Sequence, residues 1–119
     1  MSVESESTRR DPRYRLREGE GRVIFSLEDG IHFGDLNQIS LGGVGFQMKS
    51  GPRMTSGTFI NGATLTIGTC EIECDLSVIQ CQRGPDLKIE VGCMIYPSSR
   101  ESEERWVAVI AGMGAARAE

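Results

Sequence analysis

Gln38-Ile39-Ser40-Leu41-Gly42-Gly43-Val44-Gly45-Phe46 closes one strand, turns on two glycines and opens another. Ile39, Val44 and Phe46 favour a pleated surface, whereas Gly42 and Gly43 permit a tight or positive-φ backbone between them. Ile31, Phe33 and Asp35 alternate into this turn, and Val44, Phe46 and Met48 alternate out of it. Further back, Val23, Phe25 and Leu27 alternate with Arg22, Ile24 and Ser26, then stop at the turn Glu28-Asp29-Gly30. Further on, residues 49–62 are rich in Gly, Ser, Thr and Pro and read as a long connection. A fourth strand carries Ala63, Leu65 and Ile67, and a fifth runs from Cys70 to Gln80. After a turn near Gly84-Pro85-Asp86, Leu87, Ile89, Val91, Cys93 and Ile95 mark the last strong strand. Successive strands with no helix between them predict a mainly β domain over residues 21–96, a small antiparallel six- or seven-stranded β-barrel.

The C-terminal part changes period. Ser98 and Glu101 form a Ser-x-x-Glu helix start, and Trp106, Val109, Ile110 and Met113 fall on one helical stripe. Gly112 and Gly114 read as stop signals, which predicts one α-helix over 97–113 and a tail over 114–119. Such a stripe ordinarily closes a core.

The chain has 119 residues, 39% of them hydrophobic and 25% charged, the composition of a single globular domain. No apolar run approaches the roughly 18 residues of a membrane span, and the polar first residues do not form a secretory leader, so the expected location is the cytoplasm. Net charge is −4 and the sequence pI about 5.1, which disfavours binding a long nucleic acid. The seven aromatic residues, most of them at expected core positions, offer no stacking platform for one either. Cys70, Cys74, Cys81 and Cys93 include no Cys-x-x-Cys pair and read as reduced, structural thiols, with no metal implied. His32, the one histidine, has no evident nucleophile or carboxylate arrangement around it, so no enzyme is expected.

Charge is unevenly spread. Residues 9–17 hold Arg9, Arg10, Arg13, Arg15 and Arg17 against Asp11 alone, inside a flexible, polar segment spanning 1–20. Arginine donates in a rigid fork to phosphate or to a guanine edge, and its plane stacks on a base. The Ser40 turn adds a hydroxyl and a backbone that a ligand can approach closely.

Arg9-x-x-x-Arg13, followed by Ser40-x-x-Gly43 and Val44-Gly45-Phe46, resembles the signature of the PilZ domain family. That resemblance implies a PilZ-like split barrel with a C-terminal helix, whose arginine segment straps a cyclic di-GMP against the barrel surface. It implies Arg9, Arg10, Arg13, Gln38, Ser40 and Gly43 as ligand-binding residues, with no further cofactor. The family's second motif is Asp or Asn, any residue, Ser, any two residues, Gly, and Gln38 stands at its first position. Asp accepts from the guanine N1–H and N2–H2 pair with full charge, whereas Gln offers one neutral carbonyl on a longer stem. Asn37 is adjacent, but strand alternation points it to the opposite face, and only a bulge would bring it round. Two roles follow from the resemblance. One is a cyclic di-GMP receptor that relays its signal in trans to a partner protein, as a monomer or a ligand-linked dimer. The other is a PilZ-type interaction module that binds no nucleotide.

Overall fold

The computed structural model describes residues 12–52, 54–84 and 86–116. Among the described residues, seven strands and one helix follow in order: β1 Tyr14–Arg15, β2 Gly21–Leu27, β3 Gly30–Ser40, β4 Gly43–Met48, β5 Phe59–Ile67, β6 Cys70–Arg83, β7 Ile89–Pro97 and α1 Arg100–Ala116. All pairings are antiparallel in the order β1-β3-β2-β5-β6-β7-β4, and the additional β3–β4 pairing closes the ring. The result is a six-stranded barrel with β1 laid as a seventh strand along β3. Closure removes the unpaired edges that an open sheet of this size would expose.

Alternation fills the interior. Val23 and Phe25 of β2, Leu65 of β5, Ile72, Cys74 and Leu76 of β6 and Val91 and Cys93 of β7 are all buried. Their alternates Arg22, Glu71 and Glu73 face water. Trp106 and Ile110 of α1 close the core from outside the ring, with Val109 and Met113 packed beside them.

Several boundaries differ from the sequence expectation for local reasons. β5 begins at Phe59, within the stretch read as a connection, and an irregularity between Ile60 and Ala63 accommodates Gly62 at φ 88°. Leu87 precedes the last strand instead of joining it: it has φ 68° and is exposed. The helix cap is Ser99, whose hydroxyl accepts from the Ser102 N–H at 3.1 Å, while the Ser98 N–H donates to Glu73 O. Glu101 and Glu103 sit in the first turn, where the helix dipole favours negative charge. Gly112 and Gly114 do not stop the helix, which continues to Ala116.

Within β3 the face changes partway. Ile31 and Phe33 point outward, 62% and 64% exposed, because Phe33 pairs with the outward Ile24 and Asp35 with the outward Arg22. Leu36 and Ile39 are both buried although they lie three apart. The register jumps from Leu36↔Phe46 to Gln38↔Gly45, so Asn37 is an inserted residue, a β-bulge. Beyond it, even-numbered residues face outward, and Gln38 and Ser40 reach the barrel surface. The expectation that Asn37 points away from Gln38 is therefore corrected.

Candidate functional site

The Ser40 turn is a two-residue hairpin, with Ser40 paired to Gly43 across Leu41-Gly42. Neither Gly42 nor Gly43 is among the described residues at positive φ, so the tight backbone there is not left-handed. Gly43 is instead required by close packing. A Cβ on it would lie 2.8 Å from the carbonyl oxygen of Cys93 in β7. The Ser40 hydroxyl makes a long, 3.4 Å hydrogen bond to Gly43 O. The hairpin is held from behind by α1, because the Trp106 indole donates to Leu41 O at 2.9 Å, and from the side by Ile95 N–H to Gly42 O at 3.2 Å.

The arginine segment meets this hairpin through β1. Tyr14 pairs with Ile39 and Arg15 with Gln38, and the Leu16 N–H donates to Asn37 O at 3.0 Å. Leu16 is buried, and half-buried Tyr14 packs on the core. The Tyr14 hydroxyl lies 3.0 Å from where a Cβ on Gly114 would stand, so the helix end accepts the ring by lacking a side chain. With Tyr14 and Leu16 turned to the core, alternation sends exposed Arg13 and Arg15 to the outer face. Arg13 directly precedes β1, and extending the register by one residue would set it opposite Ser40. Arg9 and Arg10 lie outside the described residues.

Arg13, Gln38, Ser40 and Gly43 are thus brought to one region of the outer barrel face. Sequence reasoning left two neighbours out of this set. Arg15 is the direct cross-strand partner of Gln38, signalled by its place two residues after Arg13. Asn37 comes round on the bulge, signalled by the three-residue spacing of Leu36 and Ile39. Next to them the surface is low. Gly45 pairs with Gln38 on one side and with Gly92 of β7 on the other, and Gly92 pairs with Gln80 of β6. Two cations, two amides and a hydroxyl stand around this glycine pair, with the Asn37 carboxamide lying over Gly45 and the Gln80 side chain over Gly92. The charge and donors of this arrangement suit an anionic ligand laid on the barrel.

The other candidates resolve as structural. Cys74 and Cys93 are buried free thiols, each pushed up to about 12, chiefly by burial, and so unreactive near neutrality. His32 bonds Asp29 at 2.7 Å across the β2–β3 turn and lies 5.5 Å from the Phe25 ring; its hydrogen bond holds the Asp29 carboxyl below its ordinary value. Among the described residues no group of three His, Cys, Asp or Glu is placed to hold a metal ion. No helix among them is long and apolar enough to cross a membrane. An open groove of about 520 Å³ beside Arg22, Phe33 and Lys49 lies at the other end of β3, away from the hairpin.

A closed antiparallel barrel with a short strand laid along β3 and a glycine hairpin on one outer face defines a small β-barrel domain. The sequence matches the PilZ domain model over residues 7–112, and the chain belongs to the PilZ domain family. No curated protein matches it by sequence. Among solved structures, the K. pneumonia MrkH–c-di-GMP complex superposes with a TM-score of 0.77 at 21% identity, over 92% of this chain and 54% of that one. YcgR from Escherichia coli in complex with c-di-GMP gives 0.74 at 16% identity, over 90% of this chain and 46% of that one. The PilZ domain of YcgR with c-di-GMP gives 0.73 at 14% identity, over 90% and 92%. At these identities the likeness is one of fold. This chain spans about half the length of MrkH and of the longer YcgR chain.

Proposed function

We propose that this chain is a receptor for cyclic di-GMP. Arg9, Arg10 and Arg13 of the strap hold the ligand's phosphates and stack on its bases, and Gln38, Ser40 and Gly43 form the barrel side of the site. The observation that supports the proposal is the pairing of β1 with β3, which sets Tyr14 opposite Ile39 and Arg15 opposite Gln38, next to the Ser40 hairpin. A ligand seated there lies against β1 and the hairpin, and its arrival changes the surface that the domain offers a partner. The output acts in trans on a partner protein, in the cytoplasm, with the receptor monomeric or linked in pairs through its ligand.

Thermal unfolding tests this directly. A ligand that binds only the folded chain stabilises it by RT ln(1 + [L]/Kd), about 2.7 kcal/mol at a hundredfold excess over Kd. Cyclic di-GMP should raise the melting temperature, whereas GMP at equal concentration should not. No shift at millimolar cyclic di-GMP would favour the second reading, a PilZ-type interaction module without nucleotide. Gln38, standing where the family has Asp or Asn, is the observation on that side.

A further inference from the structure

Position 38 lacks the short polar side chain of the family motif, yet one stands next to it on the same face. The bulge inserts Asn37 between two inward residues, Leu36 and Ile39, and its side chain turns to the outer surface. There its Oδ1 lies 3.1 Å from where a Cβ on Gly45 would stand, and Gln38 Cβ lies 3.6 Å from that point. The missing side chain at Gly45 is thus the space into which the Asn37 carboxamide lies. Leu16 N–H fixes the bulge from the strap side by bonding Asn37 O at 3.0 Å. Gln38, meanwhile, stands directly across from Arg15.

We propose that Asn37, seated over Gly45, is the residue that reads the Watson–Crick edge of a guanine in the ligand, taking the place left by Gln38. This rests on the receptor reading. Asn37 is half-buried and carries one carbonyl acceptor and two N–H donors. Its stem is one methylene shorter than that of glutamine and its backbone is held by the Leu16 N–H, so less freedom is lost on binding. Gln38 works at the rim with Arg15. The bulge does for this chain what an Asp or Asn two residues before the serine does elsewhere in the family: it presents a short polar group beside Ser40.

Calorimetric titration of the full chain with cyclic di-GMP and with cyclic di-AMP tests the assignment through four variants. Asn37→Ala should weaken cyclic di-GMP binding by roughly tenfold, the size of one lost side-chain contact to a base edge. Asn37→Asp should tighten it and widen the preference over cyclic di-AMP, because a carboxylate accepts from both guanine N1–H and N2–H2, and adenine offers no such pair. A residue that only shaped the bulge would not move that preference. Gly45→Ala keeps every polar group but displaces the end of the Asn37 side chain, and it should lose affinity in the same direction. Gln38→Ala should have the smaller effect. If the unmodified chain binds cyclic di-GMP while the Asn37 variants keep its affinity and base preference within twofold, Asn37 does not read the base and the receptor reading stands. The role falls to Gln38 instead if Gln38→Ala alone abolishes binding, which also overturns the proposal. If the unmodified chain binds neither dinucleotide, both fall.

Discussion

The indole Nε1 of Trp106 donates to the carbonyl oxygen of Leu41 at 2.9 Å, joining positions 65 residues apart. One buried side chain thus ties the C-terminal helix to the tip of the Ser40–Gly43 hairpin. The same helix meets the strap at Gly114, beside the Tyr14 hydroxyl. The two pieces of the candidate site therefore lean on one element, and a movement of either is felt by α1. Under the receptor proposal, this shared element is the physical connection through which a ligand beside the strap would reach a surface remote from it.

Trp106→Phe keeps most of the packing and removes the donor, leaving Leu41 O to find another partner. Its expected cost is about 0.5–1.5 kcal/mol, the usual net contribution of one hydrogen bond, because the bond is only part-buried and water can reach Leu41 O. Trp106→Ala should cost more, about 3–5 kcal/mol, because a cavity is added. Urea unfolding of the two variants checks the order. A Trp106→Phe chain as stable as the parent would mean that the hydrogen bond contributes nothing.

Three glycines with different surroundings should respond differently to alanine. At Gly43 the added carbon would meet the Cys93 backbone oxygen at 2.8 Å, so β4 and β7 must separate; the expected loss is about 1–3 kcal/mol. At Gly114 the contact is the far end of the Tyr14 side chain at 3.0 Å, which can shift, so the loss should be smaller. At Gly112 nothing lies within 4 Å, and alanine in a helix interior should stabilise by about 0.5–1 kcal/mol. Denaturation midpoints for the three single variants give the ranking. A Gly43→Ala chain as stable as the parent would contradict the close approach of β7.

The barrel was legible in the alternation of Val23, Phe25 and Leu27, of Ile72, Cys74 and Leu76, and of Val91, Cys93 and Ile95, because each set needs the same interior. The helical stripe at Trp106 and Ile110 was legible for the same reason. Three features were not. Phe33 and Ile31 are apolar yet outward, and only their pairing with Ile24 and Ser26 assigns the face. The cap fell to Ser99 over the equally suitable Ser98, whose N–H is taken by Glu73 O. The bulge at Asn37 was written in the Leu36–Ile39 spacing, but a strict two-residue period conceals an inserted residue. Of the candidate site, Ser40, Gly43 and Arg13 came from motif spacing. Arg15 and Asn37 emerged only from strand register.

Alkaline stability follows from the buried thiols. Cys74 and Cys93 are pushed up to about 12, chiefly by burial, whereas an ordinary thiol ionises near 9.0. Above the ordinary value the unfolded chain has released protons that the folded chain retains, so stability must fall as pH rises from about 9 towards 12. Below that window the thiols contribute no pH dependence. The urea midpoint should therefore decline across this range, and a Cys74→Ala/Cys93→Ala chain should show a shallower slope. Identical slopes would mean that other groups carry the alkaline loss.

Cyclic di-GMP binding itself is most directly tested by isothermal titration of the full chain beside an Arg9→Ala/Arg13→Ala variant. Charge-assisted hydrogen bonds contribute about 1.5–3 kcal/mol each, so each lost arginine should weaken binding by roughly ten- to a hundredfold. A receptor built on the strap and the Ser40 hairpin should bind with micromolar or tighter affinity as the parent chain and show no measurable binding as the double variant at the same concentrations. Binding of equal strength in both, or no heat from the parent chain at high ligand concentration, would contradict it.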